Sequence, residues 1–211
     1  MSYERQHDLL SQETLAAQKI LVVGTGAIGR QVCLGLAVMG AQNFYICDMD
    51  KIDQSNVATQ GYYPGEVGYS KVSRVQRFCS NFGTSVYTNE EPWNPRTYDG
   101  WDFDIIFSCV DKMDARRSIY LYAKKTGVKI FMDARMLAEM GHIFCYNKDN
   151  ISEYEQTLFK DEDAIPGRCT ARGTYYMAGI LANQLLGRMA MELRGIKARP
   201  KYTFNLVGEM A

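Results

Sequence analysis

No two cysteines in this chain stand in a C-x-x-C arrangement; Cys33, Cys47, Cys79, Cys109, Cys145 and Cys169 lie far apart. That excludes a sequence-local zinc knuckle and a thioredoxin-type dithiol, and it points to reduced thiols without disulfides in a cytosolic setting. An excess of one charge is missing too. Lys+Arg and Asp+Glu both number 24, so no overall field draws the chain to nucleic acid or to anionic lipid, and neither is expected as a partner. The first ten residues have no apolar stretch of the secretory kind, and the late apolar segment 177–187 is interrupted by Asn183 and Gln184. No membrane partner is therefore expected, and the expected location is cytoplasmic. Histidine is scarce. His7 falls in a helical pattern and His142 in a strand pattern, and each reads better as a satisfied side chain than as a catalyst.

What is present is a core-forming chain of 211 residues with 46% apolar side chains. That is enough for one α/β domain over residues 1–211 and too little for a second full one. Periodicity predicts a helix over 4–18, a strand over 20–23, a helix over 29–39 and a strand over 43–47. A helix over 68–81, strands over 85–88 and 104–108, and a helix over 114–126 follow. Strands over 128–132 and 141–146, a helix over 174–194 and a strand over 202–207 complete the reading. Alternating strands and helices imply a Rossmann-like, mainly parallel sheet with helices on both faces and antiparallel strands at its C-terminal side. Residues 147–168 break this rhythm. They are acidic, end in Pro166-Gly167-Arg168 and are long for a connection, as expected of a mobile crossing loop, either simply solvated or serving as a flap over a partner. Tyr62, Tyr63, Tyr175 and Tyr176 read as half-buried aromatics.

The chemistry concentrates between residues 20 and 71. After the apolar strand comes Gly24-Thr25-Gly26-Ala27-Ile28-Gly29, a turn that lets backbone approach a phosphate and aims a helix N-terminus at it. At the end of the second strand, Asp48 or Asp50 can accept the hydroxyls of a ribose. These features fit NAD enzymes as well as ATP enzymes. No proton donor suited to a dehydrogenase is evident, whereas Lys71 opens a helix where a triphosphate would extend. Asp111, beyond the strand over 104–108, is placed to hold Mg²⁺ against phosphate oxygens.

These motifs together resemble the ThiF/MoeB/HesA family, relatives of the ubiquitin-activating enzymes. The resemblance covers nearly the whole chain. It starts at Arg5-Gln6, similar to a family signature whose arginine reaches into the partner subunit's ATP site. It continues through the glycine turn, Asp48-Met49-Asp50, Ser55-Asn56 with Gln60, Lys71, Asp111 and Asp133-Ala134-Arg135-Met136. The resemblance implies adenylation, by ATP with Mg²⁺, of the C-terminal carboxylate of a ubiquitin-like or sulfur-carrier protein ending in Gly-Gly. It also implies a homodimer, for which the sheet edge and last helix offer apolar surfaces. Arg5, Lys71 and Asp111 would act on the phosphates and metal, Asn56 and Gln60 would orient the phosphates, and Asp48 or Asp50 would hold the ribose.

Three departures stand out. Thr59 replaces an arginine that in the family contacts phosphate, Lys112 replaces an asparagine, and Ala27 replaces a glycine. The zinc-binding cysteine pairs of many relatives are missing, so no zinc is expected. Cys169 follows Arg168 and precedes the last helix, a setting that favours thiolate and a nucleophilic role, although a small residue packing at a helix start gives the same sequence. A catalytically weak partner subunit and an NAD(P)-dependent oxidoreductase are the rival functions.

Overall fold

The computed structural model describes residues 3–163 and 173–208. Its centre is a seven-stranded sheet in the order β3-β2-β1-β4-β5-β6-β7. The strands are β1 (Ile20–Val23), β2 (Asn43–Cys47), β3 (Ser85–Asn89), β4 (Ile105–Ser108), β5 (Ile130–Leu137), β6 (Met140–Asn147) and β7 (Lys201–Asn205). The first five pair in parallel, while β6 and β7 run antiparallel. Every residue of β1 and β4 is buried, as expected for parallel strands covered on both faces.

Among the described residues six α-helices cover or flank the sheet: α1 (Gln12–Ala16), α2 (Ala27–Met39), α3 (Gln54–Gln60), α4 (Lys71–Ser80), α5 (Met113–Thr126) and α6 (Tyr175–Leu193). Alternation along β1 divides the core. Ile20 and Val22 face a cluster built with α2, α4 and α6, whereas Leu21 and Val23 face one built with α5 and the turn Ile151–Thr157. The chain leaves β1 toward β2 on one side and returns to β4 on the other. The carboxyl end of β1 is therefore a topological switch point, where open α/β sheets form a ligand crevice.

Most elements fall where their patterns place them, and the differences have physical causes. The predicted first helix shrinks to α1, which begins only where Ser11 caps it by accepting from the Thr14 N–H at 3.1 Å; the residues before it form turns. Helix α3 had no place in the periodic reading because it buries no residue. It is held by its ends instead, with a capping box between Asp53 and Asn56 and Gly61 at φ 77° closing it. Strands β5 and β6 extend into a hairpin whose two-residue turn carries Ala138 at φ 53°. Tyr62 is buried, while Tyr63, Tyr175 and Tyr176 are exposed, so the expectation of four half-buried tyrosines is corrected. The apolar stripe of α6 joins the core shared with α2, β5 and β6, and Asn183 and Gln184 face outward. That leaves less apolar surface for a partner on this helix than expected. The described part of the crossing loop is folded, with turns over Ile151–Thr157 and Asp161–Asp163.

Candidate functional site

The glycine turn joins β1 to α2 at the switch point. Gly24, at φ 90°, donates its N–H to the Cys47 carbonyl at 2.8 Å, and a Cβ there would stand 2.5 Å from the Cys109 carbonyl oxygen. Only glycine tolerates both the backbone angle and that approach. A Cβ on Gly29 would overlap the Gly24 carbonyl. Gly26 differs, because a Cβ there would meet nothing within 4 Å. It is the N-cap of α2 and has no side-chain cap, with Ala27 following as the first helical residue. The unpaired N–H groups of the first turn thus open onto free space, which suits an anion.

The acids at the end of β2 divide their work. Asp48 accepts from the Thr25 N–H at 2.6 Å and the Thr25 hydroxyl at 2.9 Å through one oxygen, and from the Asp50 N–H at 2.9 Å through the other. It fastens the glycine turn to β2. Asp50 accepts from the Lys71 ammonium at 2.8 Å. The Lys71 side chain is 6% exposed and that of Asp50 54%, so the pair presents its carboxylate to solvent and its ammonium inward. The Lys71 N–H also donates to the Asp50 carbonyl at 3.0 Å, which docks the start of α4 onto the β2 end.

Between these elements lies α3. Asn56 accepts from the Asp53 N–H at 3.0 Å, so its side-chain oxygen is engaged in capping. Thr59 donates its hydroxyl to the Ser55 carbonyl at 2.9 Å, back along its own helix. The Gln60 side-chain oxygen is buried without a hydrogen bond. Tyr62 follows and donates its hydroxyl to the Thr25 carbonyl of the glycine turn at 2.8 Å.

Asp111 is exposed between β4 and α5, two residues beyond the carbonyl on which Gly24 rests. Lys71, docked on the β2 end, and Asp111, beyond the end of β4, thus lie at the ends of the two strands that flank β1. Below Asp111 lies a charge cluster absent from the expected site. The fully buried Asp133 pairs with Arg116, which also donates to the Val110 carbonyl. Asp133 further accepts from Arg135 and from the Tyr154 hydroxyl, each at 2.8 Å. Burial lowers the Arg116 guanidinium to about 10, with Arg135 acting in the same direction. The crossing segment docks beside it, where Asp161 accepts from the Met113 N–H at 2.7 Å and so caps α5.

Arg5 is not brought to this site within one chain. Its neighbours bind the other end of α2: the Tyr3 ring covers Gly40, and Gln6 donates to the Met39 carbonyl at 2.7 Å. The intervening helix is about 20 Å long at 1.5 Å per residue. Cys169 lies outside the described residues. Among the described residues, no group of three or more His, Cys, Asp or Glu side chains converges. Mg²⁺ usually takes one or two carboxylates together with substrate phosphates and water, and the single exposed Asp111 fits that donor set. Among the described residues, the N-terminal arm and an open groove beside α5, lined by Arg96, Asp99, Arg117 and Leu121, form two further concavities. Neither adjoins the glycine turn.

Cys33, Cys47, Cys79, Cys109 and Cys145 are free thiols. Burial raises the Cys109 thiol to about 12, and Arg116 acts weakly against that. These five thiols are expected to resist dithiobis(nitrobenzoate) in the native protein at mildly alkaline pH and to react only on unfolding. Rapid native reaction of any of the five, assigned by peptide mapping, contradicts this.

A glycine turn at the switch point of a mixed, mainly parallel sheet defines a Rossmann-like α/β protein. The family is shown by comparison with known proteins: the ThiF family model matches residues 3–206, and the chain belongs to that family. Ubiquitin-like modifier-activating enzyme 5 of Gallus gallus is 24% identical over 161 residues, covering 68% of this chain and 40% of the relative. The Drosophila grimshawi enzyme of the same name is 24% identical over 135 residues, or 56% of this chain and 34% of the relative. The chain thus spans little more than a third of these relatives. Among solved structures, PaaA superposes with a TM-score of 0.77 at 21% identity, covering 97% of this chain and 65% of that one. MccB of E. coli superposes with a TM-score of 0.72 at 17% identity, covering 92% and 62%. Both share the fold. Among the described residues no helix is long and apolar enough to cross a membrane.

Proposed function

We propose that this chain uses ATP to adenylate a carboxylate, namely the C-terminus of a ubiquitin-like or sulfur-carrier protein ending in Gly-Gly. The observation that carries this reading is the open turn at Gly26, with Lys71 at the end of β2 and Asp111 beyond the end of β4, the two strands beside β1. The names of the relatives support it: the curated relatives are modifier-activating enzymes, and MccB has been solved with ATP. In the reaction, a carboxylate oxygen of the carrier forms a bond to the α-phosphorus, and the bond from that phosphorus to the pyrophosphate oxygen breaks. An acyl adenylate and pyrophosphate result. Mg²⁺, held by Asp111, supplies charge neutralisation to the phosphates when bound.

The chain's own contribution is positioning and fixed charge. In-line alignment of nucleophile and leaving group is worth up to about 7–11 kcal/mol in the best-oriented reactions, and preorganised N–H groups and cations stabilise charge that grows on the phosphates. The N–H groups around Gly26 and Ala27 bind phosphate oxygens. Lys71 exchanges part of its contact with Asp50 for phosphate, and Asn56 and Gln60 border the phosphate path. Asp50, the more exposed of the two acids, receives the ribose hydroxyls while Asp48 holds the turn in shape. Arg5 serves the site of a second copy, which makes the working unit a homodimer.

Calorimetric titration with Mg·ATP and with NADH, followed by ATP–pyrophosphate exchange with candidate carriers, tests this reading. Tighter binding of Mg·ATP with carrier-dependent exchange is expected, and preferential binding of NADH overturns it in favour of an NAD(P)-dependent oxidoreductase. A second reading, a nucleotide-binding partner subunit that needs an active companion chain, gains weight from Thr59, whose hydroxyl is turned onto its own helix. It predicts ATP binding without exchange.

A further inference from the structure

Arg30 stands in the first turn of α2, its N–H bonded to the Gly26 carbonyl at 3.0 Å. The residue is 6% exposed. Among the described residues it has no carboxylate partner and donates no side-chain hydrogen bond. Its guanidinium lies 4.9 Å above the ring of Tyr62, the same tyrosine whose hydroxyl holds the Thr25 carbonyl. Asp48 acts on that ring as well, but its oxygens are taken by Thr25 and the Asp50 N–H. The arginine is thus largely buried, with its guanidinium against an aromatic ring and its donors free to take an anion.

A Cβ on Gly61 would stand 2.6 Å from the Tyr175 ring and 3.1 Å from Arg30 Nη1, so the glycine closing α3 leaves the guanidinium its space. A helical side chain leans toward the N-terminus of its helix, which for Arg30 is the open position at Gly26. The other cation of the site, Lys71, is already matched by Asp50. A triphosphate arriving over Gly26 therefore meets one neutralised lysine and one uncompensated arginine.

We propose that Arg30 binds the phosphate chain of the nucleotide and supplies from α2 the guanidinium that position 59, a threonine on α3, does not. This rests on the adenylation reading above and deepens it. A guanidinium offers a fork of donors to phosphate oxygens, and its seat on the Tyr62 ring ties it to the residue that holds the turn. The unliganded protein holds it there at a cost in stability, in the manner of binding residues generally.

The test compares the wild type with Arg30→Gln, Arg30→Lys, and Arg30→Gln combined with Thr59→Arg. Mg·ATP and adenosine are titrated calorimetrically, and Tm is recorded without ligand. Arg30→Gln is expected to weaken Mg·ATP about tenfold to a hundredfold, the loss of one charge-assisted contact. It should leave adenosine affinity unchanged and leave the ligand-free Tm unchanged or raised. Arg30→Lys keeps the charge without the fork and falls between the two, and the added Thr59→Arg restores Mg·ATP binding to within about threefold of wild type. An Arg30→Gln protein that binds Mg·ATP as the wild type does overturns the proposal. So does one whose Tm falls while adenosine and Mg·ATP weaken together, which marks a structural arginine. A wild type that prefers NADH to Mg·ATP defeats the adenylation reading itself, an outcome separate from either result at Arg30.

Discussion

Asp111→Ala lowers carrier-dependent ATP–pyrophosphate exchange by about a hundredfold or more, the usual order for removing one preorganised electrostatic group from a transition state. The fold is expected to survive. Asp111 is exposed, so its loss strands no buried partner, and changes of that kind usually stay within about 0.5 kcal/mol of wild-type stability. Binding of ATP in the absence of Mg²⁺ should be unaffected, because the carboxylate's task is to hold the cation. Exchange retained by a folded Asp111→Ala protein removes this residue from the mechanism. A collapse of Tm would instead show that the side chain supports the β4 to α5 turn.

Asp133→Asn is the change expected to hurt stability most. It leaves the Arg116 side chain, 6% exposed, buried without its counter-ion while Arg135 loses one as well. Breaking a buried pair from one side costs about 3–5 kcal/mol. At this chain length that corresponds to a Tm lower by roughly 6–20 °C. Because Arg116 also holds the Val110 carbonyl, directly before Asp111, exchange activity should fall beyond what unfolding explains. Asp99→Asn is the control, since the Lys125–Asp99 pair at 3.7 Å is exposed on both sides and should leave Tm unchanged. An unaltered Tm for Asp133→Asn refutes the cluster's structural weight.

Strands buried on both faces were plainly legible. The bounds of β1 and β2 match their patterns because an uninterrupted apolar run ended by turn residues has few alternatives. The glycine turn, Lys71 and Asp111 were singled out from sequence for the site now proposed, and they lie at the carboxyl end of the parallel strands. What escaped was whatever depends on partners distant in the chain. The contact of Lys71 with Asp50, the attachment of Asp48 to Thr25 and the burial of Arg30 are tertiary facts that no local period encodes. Helix α3 was missed because it has no buried face, although Asp53 and Asn56 at capping-box spacing with Gly61 beyond were a usable signal. The β5–β6 hairpin ran further than its pattern because Ala138 and Glu139 form its turn without the Asn-Gly that marks most two-residue loops.

The seating of Gly24 on the Cys109 carbonyl couples two working parts by main chain alone. The glycine turn and the loop bearing Asp111 leave the same end of two adjacent strands, β1 and β4, so their separation is set by sheet spacing. A larger side chain at 109, whose Cβ faces Gly29, would wedge the turn away from the loop, while exposed residues such as Thr59 and Lys112 can vary without disturbing the frame.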